Sequence, residues 1–324
     1  MMNSVAMCTY NGEKYIKEQL ESIIHQTLPP DEIIICDDGS NDHTISAIKE
    51  TMRVWRGSWM LVQNEKNLGY KKNFQKAISL CQGDIIYLSD QDDVWDLHKM
   101  ELMNQIFVEC PEVVTVFHDA ELVDESLHVL YPSFWRASLD FNYREFLTGD
   151  YRKVLDHNVM QGSASAFRRI VFEKARPFPE EAVHDEWLLL VSLMIGKVVP
   201  LPKQLLKYRQ ANNVIGGLPV TFLEKVKKWG GSLRNALVQH QSEIIRRACV
   251  LDELMGRAKS CEEVSNFSNL FKCYRSFLML RNSCITHHNV KVLGSFWNYV
   301  MYYRWSHGTK YALKDLLVIV LNDD

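Results

Sequence analysis

Strand-like and helix-like segments alternate along the first 110 residues, at about 25–30 residues per strand–helix unit. Apolar runs of strand length occupy residues 4–8, 32–36, 59–63, 84–88 and 113–117. Segments with apolar residues at helical spacing separate these runs, up to a predicted helix over residues 97–107. This alternation is typical of βαβ units on a parallel sheet. We therefore expect an α/β fold with a mostly parallel sheet.

Polar side chains follow three of the predicted strands at the point where each strand ends. They are Thr9, Tyr10 and Asn11 after the first strand, Asp37 and Asp38 after the second, and Asp90, Gln91, Asp92 and Asp93 after the fourth. Ligands of parallel α/β sheets bind beyond the carboxyl ends of the strands. Turn chemistry alone would explain any one cluster. Three clusters together favour a shared site for a nucleotide.

The third cluster carries three carboxylates within four residues, Asp90, Asp92 and Asp93, directly after a buried strand. Such carboxylates repel one another and lose hydration unless a cation joins them. Hard divalent cations such as Mg²⁺ prefer oxygen ligands and share them with the phosphates of a substrate. A solvated acidic loop is the alternative, and the motif by itself leaves both interpretations open.

The pattern weakens between residues 125 and 158, where five aromatic residues look exposed: Phe134, Trp135, Phe141, Tyr143 and Phe146. A long irregular stretch of this kind is usually functional or partly disordered. Regular structure is expected again over residues 159–167, where small side chains would let a ligand or a neighbouring strand approach closely.

A further carboxylate is expected at the start of a helix. His184 and Asp185 open a segment with helical character that runs to Ile195, and Gly196 is a plausible end for it. Free backbone N–H groups and the helix dipole would keep Asp185 ionised. A plain helix cap is the alternative interpretation.

Residues from about 217 to the end carry apolar residues at helical spacing and no strand pattern. Counted from Gly216, this part contains 15 Lys and Arg against 9 Asp and Glu, so its net charge is about +6. Aromatic residues cluster near residues 292–305. Core or oligomer contacts are one interpretation of these helices, and docking to a membrane surface is the other.

The remaining composition indicates a cytoplasmic protein. Eight cysteines are scattered without a C-x-x-C pair, which suits a reducing compartment better than a disulfide framework or a zinc site. The first seven residues lack the basic flank and apolar core of a signal peptide. The late apolar run over residues 316–321 is too short to span a bilayer. Nucleic acid is not an expected partner.

These motifs together resemble family-2 glycosyltransferases of the GT-A fold, especially the bacterial rhamnosyltransferase-like branch. The matching residues are 8–12, 37–40 with Asp42 and Thr44, 67–69, 89–95, 184–185 and 208–210. The resemblance implies a Rossmann-like, mostly parallel sheet flanked by helices over residues 1–216. Residues 1–110 would form the nucleotide-sugar-binding half and 111–216 the acceptor-side half, and residues 217–324 would be an appended all-helical region.

The resemblance also implies roles for individual residues. Asp185 would be the general base, and Asp92 with Asp93 would hold Mg²⁺ or Mn²⁺. The donor site would contain Thr9, Tyr10, Asn11, Asp37, Asp38, Gly69, Lys72, Asn73, Asp90 and Gln91. The acceptor side would contain Gln161, Gly162, Ser163, His184, Glu186, Trp187 and Arg209. Many relatives carry His-Gly after residues 208–210, whereas this chain has Ala211, so the resemblance implies no histidine contact from that loop.

The function implied is inverting transfer of a hexose or deoxyhexose, such as rhamnose, from a nucleoside diphosphate. The donor would be a dTDP- or UDP-sugar, and the acceptor a lipid-linked or growing cell-surface saccharide. The helical tail would contact the inner face of the cell membrane or form a homo-oligomer. A non-catalytic nucleotide-sugar-binding module of the same fold is the alternative, although it would not need Asp185. A receiver-like signalling domain fits poorly, because the expected late lysine after a strand is missing.

Overall fold

The computed structural model describes residues 1–210, 233–258, 274–276 and 278–279. The first part of the chain alternates strands and helices. Its elements are β1 (Asn3–Thr9), α1 (Ile16–Ile24), β2 (Glu32–Asp37), α2 (Thr44–Met52), β3 (Ser58–Gln63), α3 (Tyr70–Leu80), β4 (Ile85–Ser89), β5 (Val94–Trp95) and α4 (Lys99–Glu109).

The second part is less regular. Its elements are β6 (Val113–Val123), β7 (Val129–Tyr131), a π-helical turn (Trp135–Leu139), α5 (Tyr143–Leu147), α6 (Arg152–Asp156), a 3₁₀ turn (Gly162–Ala164), β8 (Ser165–Arg168), α7 (Arg169–Ala175), α8 (His184–Ile195), β9 (Lys197–Arg209) and α9 (Leu233–Ala258).

The described strands form one nine-stranded sheet in the order β3–β2–β1–β4–β8–β6–β9–β5, and β7 pairs with the outer part of β6. Strands β1 to β4 are parallel, β8 lies antiparallel between β4 and β6, and β6 and β9 are parallel. Every residue of β1, β2 and β4 is buried, as expected for strands covered by helices on both faces. The mixed α/β architecture confirms the expected fold class.

The aromatic residues after β6 are not exposed, so that expectation is wrong for four of the five. Trp135, Phe141 and Phe146 are buried, and their rings lie 5.5–5.8 Å from the ring of Phe117 in β6. Phe134 is also buried, at 9% exposure. These side chains lie on short turns and helices that pack on one face of the sheet. Such short elements show no extended helical or strand periodicity in the sequence, so the burial of these residues is not apparent from it.

The chain divides into two compact units. The first comprises Met1–Gly149, Asn158–Phe178 and Val183–Pro219, and it contains the whole sheet. The second comprises Asp150–His157, Pro179–Ala182 and Val220–Asp324. The predicted domain boundary at 216/217 and the aromatic segment 292–305 lie outside the described residues.

Within the second unit, α9 is a helix of 26 residues. It buries Ile244, Ala248 and Leu251 at helical spacing. The guanidinium of Arg247 donates a 2.8 Å hydrogen bond to the Leu155 carbonyl of α6, which belongs to the same unit. None of the helices in the described ranges is long and apolar enough to cross a bilayer.

Candidate active site

The ends of β1 and β2 meet at Thr9 and Asp37, which are paired in register. Thr9 Oγ1 donates a 2.8 Å hydrogen bond to Asp37 Oδ2, and Asp37 Oδ1 accepts from the main-chain N–H groups of Gly39 and Ser40. Gly39 has a φ of +86°, a conformation that favours glycine. Asp37 is fully buried and therefore shapes the turn after β2.

Asp38 is occupied by the loop that precedes α3. Its carboxylate accepts 2.8 Å hydrogen bonds from Asn64 Nδ2 and from the main-chain N–H groups of Leu68 and Gly69. Asn73, itself buried, accepts from Asn64 and donates to the Cys36 carbonyl. Asp38 and Asn73 therefore stabilise the loop between β3 and α3 through these hydrogen bonds. Lys72 is exposed on the first turn of α3.

The loop after β1 is hydrogen-bonded to the loop after β4. The Gln91 side chain bonds to the backbone of Tyr10 at both its amide nitrogen and its carbonyl oxygen. Asn11 bonds to the turn after β2 through its main-chain N–H and its side-chain oxygen. The Tyr10 ring is 47% exposed, so it is free to pack against a planar ligand.

The acidic cluster after β4 carries carboxyl groups that are hard to ionise. Burial, together with the charges of Asp92 and Asp185, raises the pKa of Asp90 to about 7. Burial likewise raises the pKa of Asp92, and the pKa of Asp93 is raised well above its ordinary value. Buried carboxylates that repel one another create a strong local demand for positive charge.

Asp93 and Asp92 differ in their surroundings. Asp93 is 1% exposed; its Oδ2 accepts from Ser163 Oγ at 2.7 Å and its Oδ1 from the Arg209 main-chain N–H at 3.1 Å. Within the described chain, no other residue donates a hydrogen bond to the Asp92 carboxylate, which is only half-buried. Asp92 is therefore the better placed of the two to take up a metal ion.

Arg209 stabilises this segment instead of lining an open pocket. Its side chain is 2% exposed, and its Nε donates a 2.8 Å hydrogen bond to the Asp92 carbonyl. Its Nη2 pairs with Glu18 Oε2 at 2.5 Å, and its guanidinium lies over the Tyr15 ring. The guanidinium charge also opposes the rise in the pKa of Asp92.

The described residues hold no group of three His, Cys, Asp or Glu side chains spaced to bind a metal ion. A divalent ion at Asp92 would therefore need oxygen atoms from a ligand to complete its coordination. Hard cations that share their ligands with phosphates have this requirement. The donor set fits Mg²⁺ or Mn²⁺ bound together with a diphosphate.

Asp185 lies in the first turn of α8 and is 8% exposed. Its Oδ2 accepts from the Gly162 N–H at 3.0 Å and its Oδ1 from the Glu186 N–H at 2.8 Å. Burial raises the pKa of Asp185 to about 7 in spite of these bonds. Trp187, by contrast, is fully buried and donates to the Ala175 carbonyl, so it belongs to the core.

His184 and Gln161 lie on either side of the Gly162–Asp185 contact. The His184 ring stacks on Phe74 with centroids 4.2 Å apart, and burial lowers the pKa of its imidazole to about 3, so it is neutral. Both ring nitrogens of His184 and both amide atoms of Gln161 are buried without a hydrogen-bond partner. A Cβ on residue 162 would come within 2.8 Å of His184 Nε2, which explains the glycine there.

Two further residues at this site, Lys99 and Tyr208, have no role predicted from the sequence. Lys99 is fully buried beneath the acidic cluster, where the charges of Asp93 and Asp90 oppose the effect of burial on its pKa. Tyr208 was recognised only as part of a motif; burial, and then the charges of Asp93, Asp90, Asp92 and Asp185, raise the pKa of its phenol well above the ordinary value. Lys99 lies four and eight residues before Met103 and Phe107, on the buried face of α4. A lysine in line with the apolar residues of a helix is the sequence signal that could have identified it.

Comparison with curated proteins gives relatives that include glycosyltransferases. The chain is 28% identical over 242 residues to the dTDP-rhamnosyl transferase RfbG of Shigella flexneri, covering 69% of this chain and 78% of the relative. It is 25% identical to an uncharacterized glycosyltransferase of Nostoc sp., covering 71% of this chain and 72% of the relative. An uncharacterized protein of Mycobacterium tuberculosis is 26% identical, with 64% of this chain matched but only 58% of the relative.

Solved structures share the fold. The mannosyltransferase PcManGT from Pyrobaculum calidifontis, in complex with GDP-Man and Mn²⁺, superposes with a TM-score of 0.54 at 17% identity and covers 99% of this chain and 88% of its own. S. aureus TarS 1-349 in complex with UDP-GlcNAc gives 0.52 at 17% identity, with 94% and 82% covered. The family model "Glycosyl transferase family 2" matches residues 4–176, more than half of the chain. The chain therefore belongs to glycosyl transferase family 2.

Proposed function

We propose that the protein transfers a hexosyl or deoxyhexosyl unit from a nucleoside diphosphate to a hydroxyl group, with inversion at the anomeric carbon. One observation carries the proposal: two consecutive residues connect Asp185 to the cluster after β4, because the Gly162 N–H donates to Asp185 Oδ2 and Ser163 Oγ donates to Asp93 Oδ2. In this proposal the general base and the carboxylates on the phosphate side would share one site. A module that only bound a nucleotide sugar would not need both.

On the donor side, the proposal assigns the turns after β1, β2 and β4 to the nucleotide and its sugar. Thr9 and Asp37 shape the pocket, and the exposed Tyr10 ring packs against the base. Asp38 and Asn73 hold the loop that carries Gly69, and Lys72 is a nearby cation for a phosphate. Asp90 takes the sugar or the ribose.

The leaving diphosphate would be bound at Asp92. Metal binding there is supported by the raised pKa values of the cluster and by a carboxylate without a donor among the described residues. When bound, Mg²⁺ or Mn²⁺ would neutralise the charge that develops on the leaving oxygens. Asp93 would support Asp92 by fixing the backbone of this segment, through its hydrogen bonds to Ser163 and Arg209.

Asp185 would take the proton of the attacking hydroxyl. A pKa near 7 suits this task, because a general base works best when its pKa is close to the operating pH. Double displacement would need a second carboxylate as nucleophile. The adjacent Glu186 points about 100° away around the helix and is 3% exposed. Single displacement, hence inversion, is the better match.

The acceptor would lie next to Asp185, between Gln161 and His184. Their unpartnered amide and imidazole atoms are suited to the hydroxyl groups of a saccharide. The similarity to RfbG favours a dTDP-linked deoxyhexose, with UDP-linked hexoses as the alternative. A lipid-linked or growing cell-surface saccharide remains the proposed acceptor.

Peripheral attachment to the inner face of the membrane, or self-association, is proposed from the sequence alone. The support is the basic excess and the aromatic residues beyond Gly216. Binding to anionic vesicles at low ionic strength, lost when salt is added, would support attachment. Unchanged solubility with vesicles at low salt, together with a dimer in solution, would favour self-association.

A donor panel tests the proposal most directly. Purified protein would be incubated with dTDP-, UDP- and GDP-sugars and Mn²⁺, with and without EDTA, and thermal shift and nucleotide release would be recorded. We expect one nucleotide class to stabilise the protein and to be released faster when a saccharide acceptor is added. Failure of every nucleotide to bind in the presence of Mn²⁺ or Mg²⁺ would refute the assignment.

A further inference from the structure

The 3₁₀ turn Gly162–Ala164 joins the two sets of carboxylates. Its Gly162 N–H donates a 3.0 Å hydrogen bond to Asp185 Oδ2, and the next residue, Ser163, donates from Oγ to Asp93 Oδ2 at 2.7 Å. Two consecutive residues therefore bond to the base and to the metal-side cluster. A shift of this turn would therefore change the distance between Asp185 and Asp93.

Lys99, the first residue of α4, secures the turn from below. Its Nζ donates a hydrogen bond to the Ser163 carbonyl and lies 3.6 Å from the centroid of the Trp95 ring. Lys99 is fully buried. Burying an ammonium group is unfavourable unless charged or polar partners surround it. A fully buried lysine at this position therefore indicates a specific role for the ammonium group.

We propose that Lys99 is a positioning residue for the transfer reaction: it fixes the turn Gly162–Ala164 and thereby sets the separation between the Asp92–Asp93 segment and Asp185. This inference rests on the proposed function. Lys99 is fully buried, so it would act on the reaction through the turn and through its charge beside Asp90 and Asp93, not by direct contact with substrate.

The consequence follows from the geometry that transfer requires. A general base must lie within about 2.6–3.2 Å of the proton it takes, and a misplacement of about 1 Å can lower the rate about 100-fold. Nucleotide binding depends instead on the turns after β1, β2 and β4. Loss of the Lys99 contact should therefore lower kcat much more than it weakens nucleotide binding.

The test uses Lys99→Met, which keeps a long apolar side chain and removes the ammonium group. Ser163→Ala is the second variant, because it removes only the hydroxyl that bonds to Asp93 and introduces no buried charge. Lys17→Met, at an exposed lysine of α1, is the matched control. Each protein would be assayed for the Kd of the Mn²⁺–nucleotide complex, for kcat and KM, and for amide hydrogen exchange in peptides covering residues 160–165 and 184–187.

We expect kcat to fall about 10- to 100-fold in Lys99→Met and in Ser163→Ala, while the Kd for nucleotide changes less than about threefold. Exchange at residues 160–165 should be faster in Lys99→Met and unchanged in Lys17→Met. An unchanged kcat in Lys99→Met, or a loss of nucleotide affinity equal to the loss of kcat, would overturn the inference.

The exchange measurement separates this inference from the proposed function. If the wild-type protein transferred no sugar from any donor, the proposed function would fail on its own. Hydrogen exchange at residues 160–165 would still decide the role of Lys99. If Lys99→Met does not fold, Ser163→Ala decides: faster exchange at residues 184–187 supports the inference, and unchanged exchange overturns it.

Discussion

The side-chain amide of Gln91 forms two hydrogen bonds with the backbone of Tyr10, accepting from its N–H at 2.8 Å and donating to its carbonyl at 3.0 Å. The two residues are 81 positions apart in the chain. The pairing joins the loop after β1 to the loop after β4. It also fills the space beside Gly12, where an added Cβ would collide with the amide.

Replacing Gln91 should therefore loosen the donor site, because the loop after β1 loses its two hydrogen bonds to the loop after β4. Each hydrogen bond is worth about 1 kcal/mol, so we expect Gln91→Ala to weaken binding of the Mn²⁺–nucleotide complex about tenfold. Isothermal titration calorimetry would measure the change. Gln82→Ala, at an exposed glutamine before β4, is the control. Equal affinities of Gln91→Ala and wild type would mean that the loops are held by other contacts.

Asp92 and Asp93 should respond differently to removal of their charge. Asp92→Asn keeps the shape of the side chain, and we expect Mn²⁺-dependent nucleotide affinity to fall at least tenfold, since the metal loses its protein carboxylate. Asp140→Asn, at an exposed left-handed residue that suits asparagine, is the control. Nucleotide affinity of the wild type that does not change with EDTA would contradict a metal at Asp92.

Asp93→Asn should mainly affect the fold around the site. Each Asp93 oxygen accepts one hydrogen bond. In an asparagine an N–H₂ group replaces one of these oxygens, so either the Arg209 N–H loses its acceptor or Ser163 Oγ must accept the bond and its own proton loses the Asp93 oxygen. We expect a lower melting temperature, with a cost of about 1–3 kcal/mol for the unmatched buried group. Differential scanning fluorimetry of Asp93→Asn beside Asp92→Asn would check the contrast. A larger loss of melting temperature in Asp92→Asn would reverse the assignment.

The parts of the site that lie at the ends of strands could be predicted from the sequence, because one apolar run and the polar residues after it are both local. Thr9 and Asp37 are the last residues of β1 and β2, and Asp90 directly follows β4. The direction of β8 could not be predicted in this way. It runs antiparallel between β4 and β6, and only contacts between distant parts of the chain decide such a pairing.

β9 illustrates a second limit. The apolar pattern predicts a strand over residues 198–201, whereas the strand spans Lys197–Arg209. Pro202 and the polar residues after it indicate an end to the strand, because proline has no N–H to donate to a β-ladder. The strand continues past them through register shifts against β6 near His118 and Asp119. This continuation carries Arg209 to Asp93, a contact that no local pattern reveals.

Asp90 should destabilise the metal-free protein at high pH. The pKa of its carboxyl is about 7 in the folded state against an ordinary value of 3.8. Because the folded pKa is the higher one, the associated stability is present below about pH 4 and is lost as the pH rises through 7. We expect Asp90→Asn to melt at a higher temperature than wild type at pH 8 in EDTA.

At pH 5 the difference between the two proteins should be smaller, because Asp90 is then largely neutral in the folded state. The free-energy gain at pH 8 is of the order of 1–3 kcal/mol. Thermal unfolding of both proteins at the two pH values would measure it. A difference in melting temperature that is the same at pH 5 and pH 8 would show that Asp90 is not held in an unfavourable ionised state.

Asp185→Asn should abolish transfer and leave nucleotide binding intact. A general base contributes about 10²- to 10⁴-fold to a rate, so we expect kcat to fall by that factor while the Kd of the Mn²⁺–nucleotide complex stays within about twofold. Glu173→Gln, at an exposed residue of α7, is the control. Transfer at the wild-type rate in Asp185→Asn would remove the base from the mechanism.

The pH dependence of the wild-type reaction tests the same residue without a mutation. The base is active when ionised, and burial raises the pKa of Asp185 to about 7. Its ionised fraction is then about 1% at pH 5 and about 90% at pH 8, so kcat/KM should rise through neutral pH and level off above it. Asp185→Asn should lose this rise in its residual activity. A wild-type profile that is flat between pH 5 and pH 8 would exclude a carboxyl of this pKa as the base.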